Sequence, residues 1–149
     1  MNLGHRVSTS ATPAEVWDLL GHPARWPEFD PFLRRVHGAQ DTARPGQTLL
    51  GVARFTGVRI PIDVVDAVAE QRLEMRVHLA PGVSERVAYD LAPTLRGGTS
   101  VRVSVVVEGL FARAAVAPLW LANAFDARLL VAQAERAARA ARRKGRGAA

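Results

Sequence analysis

From Leu33 to Glu108 the chain repeats with a period of two, and from Leu110 to about Lys144 the period changes to helical. No other feature restricts the fold as much, because the two periods demand different elements. The stretch Arg72 to Ala80 is the clearest strand: Leu73, Met75, Val77 and Leu79 face one way, and Arg72, Glu74, Arg76 and His78 the other. Leu3 to Ser10, Leu33 to Ala39, Thr48 to Phe55, Val58 to Glu70, Ser84 to Ala92 and Thr99 to Glu108 complete a set of seven. Pro45-Gly46, Gly57, Pro81-Gly82 and Gly97-Gly98 supply the turns. Pro61 cannot donate to a ladder, so it predicts an edge position or a bulge in the fourth strand. In the helical segment, Phe111, Ala115, Pro118, Ala122, Phe125, Leu129 and Ala132 are expected to share one face, with a kink or break at Pro118.

Seven strands, each with one apolar face, and a single long helix to cover them define an α+β pattern. A helix is about 10 Å wide, while six strands at ~4.8 Å spacing span far more. The sheet is therefore expected to curl around the helix and to leave apolar surface uncovered beside it, which makes an internal cavity.

The segment before the second strand has its own signature. Thr12 offers a side-chain oxygen to a helix N-terminus, Pro13 fits the first turn, and Glu15 stands where a capping-box acid belongs. Val16, Leu19 and Leu20 follow at helical spacing, and Gly21 and Pro23 end the helix. Then comes His22-Pro-Ala-Arg-Trp-Pro-Glu-Phe-Asp-Pro-Phe32, an aromatic-loaded run between prolines. Strand, short helices, antiparallel strands and one long C-terminal helix resemble the START-like (SRPBCC, helix-grip) superfamily, most closely its polyketide cyclase/dehydrase-like branch. The resemblance spans nearly the whole chain. It implies a curved antiparallel sheet of about seven strands wrapped around the C-terminal helix, with a ligand tunnel between them.

Composition narrows the function classes. The length of 149 residues suits one domain, expected over residues 1–144, with 145–149 a disordered basic tail end. There is no cysteine, so disulfides and thiolate metal sites are excluded. His5, His22, His37 and His78 have no metal-ligand spacing, and no Walker loop, G-x-S-x-G elbow or G-x-G-x-x-G is present. No metal and no cofactor is expected. Residues 1–10 lack the apolar core of a signal peptide and no apolar run is long enough to span a membrane, so a cytoplasmic location is expected. The net charge of +6 belongs to Arg136, Arg139, Arg142, Arg143, Lys144 and Arg146, leaving 14 basic against 14 acidic residues elsewhere. It reads as a solvated helix end, not as a specific nucleic-acid surface. Abundant Arg and Ala with almost no Lys suggest a bacterial, GC-rich coding bias.

The candidate ligand-binding residues are Trp26, Phe32, Phe55, Ile62, Met75, Val77, Tyr89, Val103, Val105, Ala115, Leu119, Ala122 and Phe125. Trp26 and Phe32 either gate the cavity mouth or plug it. Tyr89 lies on an apolar strand face, so its hydroxyl is expected to point toward the cavity and needs a partner. Arg54 and Asp63 are the remaining polar candidates; pointing inward they would face a ligand, although most strand charges face solvent.

The expected function is binding of a lipid-, aromatic- or polyketide-like molecule by a monomer or homodimer. One alternative is a cofactor-free aromatase/cyclase promoting aldol condensation and dehydration through Tyr89, Arg54 or Asp63. A second is an interaction protein using its basic tail. A buried Arg or Tyr cluster would favour the enzyme, a purely apolar cavity the carrier, and a core without a cavity the interaction protein.

Overall fold

In the computed structural model, residues 2–109 and 112–147 are described, with side chains for all of them except Asn2 and residues 112–120. The N-terminal third is built from local chemistry. Strand β1 (Asn2–Thr9) leads to helix α1 (Pro13–Leu20). Thr12 Oγ1 accepts from Glu15 N at 3.3 Å, and Thr12 N donates to Glu15 Oε2 at 2.8 Å, which closes the capping box. Val16, Trp17, Leu19 and Leu20 bury one face of α1. Gly21 ends it, and a side chain there would collide with the Trp17 indole, its Cβ lying 2.4 Å from a ring carbon.

The proline-rich run forms a 3-10 helix, Pro23–Glu28, docked on α1. Trp26 Nε1 donates to Leu20 O at 2.8 Å, and Arg25 pairs with Asp18 at 2.6 Å and Glu28 at 2.9 Å. The remaining strands are β2 (Leu33–His37), β3 (Thr48–Ala53), β4 (Arg59–Val68), β5 (Arg72–Ala80), β6 (Val83–Pro93) and β7 (Thr99–Gly109), followed by helix α2 (Ala112–Gly147). They form one antiparallel sheet in the order β1-β7-β6-β5-β4-β3-β2. The expected α+β helix-grip architecture is the one observed.

Helix α2 packs on β7, β1 and α1. Thr9 Oγ1 donates to Glu135 Oε1 at 2.9 Å, joining the end of β1 to the helix. The helix thus covers one half of the sheet, and the inward face of β3 to β6 is left to line a cavity.

Three local expectations are corrected. Strand β4 is interior, between β3 and β5, and its bulge falls between Val64 and Asp66, not at Pro61. Pro61 is tolerated because its pairing with β5 starts only at Ile62, opposite Val77, so no donor toward β5 is needed there. Pro118 does not split α2, which is continuous from Ala112 and includes Gly145. The buried face of α2 is not the expected one. It carries Asn123, Ala127, Leu130, Ala134 and Ala138, whereas Phe125 is 52% exposed and Leu129 and Ala132 are half-buried. Small residues let the helix approach the sheet, so the alanine face turns inward and the bulky Phe125 turns out. Phe111 and the side chains of Ala115 and Pro118 lie outside the described residues.

Candidate functional site

The cavity has a volume of about 620 Å³. Its walls come from Ala53 of β3, Ile60 and Ile62 of β4, Met75, Val77 and Leu79 of β5, and Val83, Glu85, Val87 and Tyr89 of β6. Trp26, Phe29, Asp30, Phe32 and Leu33 close one side, and Ala122, Asn123 and Asp126 of α2 another. Strand parity explains the sheet wall: odd-numbered residues of β5 and β6 point inward, even-numbered ones to the outer face.

Among the predicted ligand-binding residues, the structure brings Trp26, Phe32, Ile62, Met75, Val77, Tyr89 and Ala122 to this cavity. Trp26 is a fixed wall, because its ring nitrogen is bonded to the end of α1. Phe32 is half exposed and forms part of the rim. Phe55 does not take part: it follows β3 in the turn to β4 and is 80% exposed. Phe125 points away, for the packing reason given above. Val103 and Val105 are closed into the core on β7, the strand that α2 covers. The side chains of Ala115 and Leu119 lie outside the described residues.

The polar candidates divide. Tyr89 is inside, 3% exposed, with no hydrogen bond to its hydroxyl found among the described residues. Burial, then the nearby carboxylates Asp126, Asp30 and Glu85, push its ionisation well above the ordinary phenol value. Arg54 does not face the cavity. Its Nε donates to Pro31 O and its Nη2 to Leu33 O, both at 2.9 Å, pinning the loop before β2. Asp63 sits on the outer face, accepting from Thr48 Oγ1 at 3.0 Å and lying 2.7 Å from His78 Nε2. That His78 contact, foremost, holds its carboxyl below the usual range. The two residues weighed as an inward pair therefore do structural work outside the cavity, as the usual orientation of strand charges toward solvent implies.

The cavity's own polar groups are others: Asp30, Glu85, Asn123 and Asp126. Glu85 is 7% exposed, and its Oε2 receives Asn123 Nδ2 at 3.4 Å. Burial raises its pKa to about 7, with the Asp30 charge adding and the Asn123 bond opposing. Asp126 is also 7% exposed, and its buried Oδ1 has no hydrogen-bond partner among the described residues. Burial first, then Asp30 and Glu85, raise its pKa to about 8. Asp30 accepts from Phe32 N at 2.8 Å and Leu33 N at 3.3 Å; burial raises its pKa against those two bonds and the Arg54 charge.

Sequence reasoning passed over all four. Glu85 was signalled by its parity, two residues before Val87 on the strand face already read as inward. Asp126 and Asn123 were signalled only by sharing the alanine-rich face of α2, and hydropathy argues against putting such a face inward. Among the described residues, no group of His, Cys, Asp and Glu is placed to hold a metal ion, and no helix is long and apolar enough to cross a membrane.

A curved antiparallel sheet half covered by one C-terminal helix, with an apolar cavity in the uncovered half, defines a helix-grip protein of the SRPBCC type. The model of the polyketide cyclase/dehydrase and lipid transport family matches residues 4–141, and the chain belongs to that family. Solved structures agree on the fold. Protein MLL2253 from Mesorhizobium loti is similar with a TM-score of 0.74 at 18% identity, covering 91% of this chain and 98% of that one. The hypothetical protein jhp0584 from Helicobacter pylori gives 0.74 at 13% identity, covering 90% of this chain and 88% of its own. DynU16, a putative protein in the dynemicin biosynthetic locus, gives 0.63 at 22% identity over 87% of this chain and 45% of that chain. No protein of curated function matches this chain.

Proposed function

We propose that this protein binds a hydrophobic small molecule, lipid-, aromatic- or polyketide-like, in the cavity between β3–β6 and α2. The observation that carries the reading is an apolar-walled space of about 620 Å³ beside, not beneath, the long helix. That volume is of the size that takes a small organic ligand. The family's lipid-transport members and the biosynthetic setting of DynU16 support the same class. Native mass spectrometry of the purified protein is the direct test. A co-purifying apolar compound, released on denaturation, is expected. A ligand-free protein that also fails to bind neutral apolar dyes saturably would overturn the reading.

A second reading, a cofactor-free cyclase or dehydrase, draws on Glu85, Asp126 and Tyr89. The cavity is neither purely apolar nor furnished with the buried Arg or Tyr cluster expected of the enzyme; Tyr89 lines it without a second tyrosine or an arginine among the described residues. It holds carboxyls that keep protons near neutrality, which suits proton transfer to and from a ketone substrate. Turnover of poly-β-ketone mimics, lost in Asp126→Asn and Tyr89→Phe with binding retained, would favour it. Absence of turnover across such a panel leaves the carrier.

A further inference from the structure

The carboxyls deepen the binding reading by pointing to a class of ligand. Asp30, in the connection before β2, Glu85 of β6 and Asp126 of α2 line one apolar cavity, and among the described residues no Lys, Arg or His lines it with them. Arg54, whose charge acts on Asp30, spends donors on Pro31 O and Leu33 O. Asp126 is the independent sign of a missing partner: more than nine-tenths buried, lining the cavity, with Oδ1 unbonded among the described residues. Buried polar groups are normally satisfied, and a buried acid without a donor is costly. Glu85 is only partly satisfied by the long bond from Asn123. The cluster does not form a metal site, since among the described residues no such group is placed to hold an ion.

We propose that the cavity takes a hydrophobic amine, its protonated nitrogen beside Asp126 and Glu85 within the field of Asp30, and its hydrocarbon body against Ile62, Met75, Val77 and Val87. An ammonium supplies donors to the carboxyls of Asp126 and Glu85 while neutralising acids that otherwise repel one another. The phenol of Tyr89, the other titratable group on the wall, remains neutral and contributes a hydroxyl. An anionic ligand such as a fatty acid would meet like charge, and a neutral one would leave the acids to hold their protons.

This inference rests on the cavity being the binding site, and the experiment separates the two. Neutral N-phenyl-1-naphthylamine is bound to the protein and displaced with n-decylamine, 1-decanol or decanoate. Decylamine is expected to displace it at concentrations at least about tenfold lower than decanol, the effect of one charge-assisted bond, and decanoate to be the weakest. The amine-to-alcohol ratio is expected to fall toward one in Asp126→Asn and in Glu85→Gln; being a ratio, it does not respond to a general loosening of the cavity. Calorimetry on the parent protein in two buffers of different ionisation enthalpy gives a readout without variants. Decylamine binding near pH 7 should release about one proton as the buried acids ionise, and decanol none. Dye binding with equal displacement by amine and alcohol, or amine binding without proton release, overturns the amine alone. Failure of the dye to bind at all overturns the cavity reading and this inference together.

Discussion

Asn123 of α2 reaches Glu85 of β6 from the opposite wall of the cavity, Nδ2 to Oε2 at 3.4 Å. This polar bridge joins helix and sheet where apolar packing between them gives way to open space. It is a weak bridge by distance, and it leaves Glu85 a buried acid.

The first prediction follows from that acid. The folded protein holds the Glu85 proton up to about pH 7, whereas an unperturbed glutamate, as in the unfolded chain, releases it near 4.5. Between those values the unfolded state binds fewer protons, so stability falls as pH rises and stays reduced above the folded value. Glu85→Gln removes the dependence. Its Tm relative to the parent should rise from about pH 5 to about pH 8, by on the order of 3 kcal/mol at most in stability. Asp126→Asn should behave with the same sign. Paired melting curves at the two pH values decide it; a variant less stable at the higher pH would contradict the assignment.

Filling the cavity should block binding without unfolding the protein. Ala122→Trp places an indole in the open space, so dye binding should vanish while Tm changes little. Val103→Trp provides the contrast. Val103 is 1% exposed in the packed core, so overfilling it should cost about 1–3 kcal/mol. Fluorescence titration and thermal melts of both proteins test the distinction.

Strand periods, turns and the capping box made the fold legible. Helix α1 and strand β5 carry the bounds that the sequence predicts, because each is fixed by neighbours in the chain: Thr12 with Glu15 for one, strict alternation from Leu73 to Leu79 for the other. The site was legible only where it is apolar. Hydropathy turned Phe125 inward and passed over Asp126, whereas the structure exposes Phe125 and buries Asp126, because a helix against a sheet is positioned by the size of its residues as well as their polarity. Arg54 was singled out by its charge alone, and its actual partners, the carbonyls of Pro31 and Leu33, leave no trace in composition.

Trp26 should matter to the fold through one atom. Trp26→Phe keeps an aromatic wall but removes the donor to Leu20 O. A loss of about 1–2 kcal/mol is expected from leaving that carbonyl unpaired. Chemical denaturation measures it, and an unchanged midpoint would show that water replaces the indole.

The basic end of α2 should be dispensable. Arg142 lies 3.7 Å from Glu15 and is well exposed, and such a pair contributes at most about 1 kcal/mol. Deleting residues 142–149 should leave dye affinity unchanged and lower Tm slightly. Any weak, salt-sensitive adsorption to RNA should disappear with it. Tight RNA binding that survives the deletion would place the nucleic-acid affinity on the folded body.

Neighbours in sequence pair with one another from β2 to β7, so the concave wall can assemble through successive hairpins. The pairing of β1 with β7 and the seating of α2 on both of them join the beginning of the chain to its end. Such long-range closure is slow and comes at an entropic disadvantage. The hollow therefore depends on eight N-terminal residues, none of which lines it. A chain lacking them would keep its sheet wall but lose one of the three elements on which the helix rests, so the ligand space acquires its final shape only when the two ends of the molecule meet.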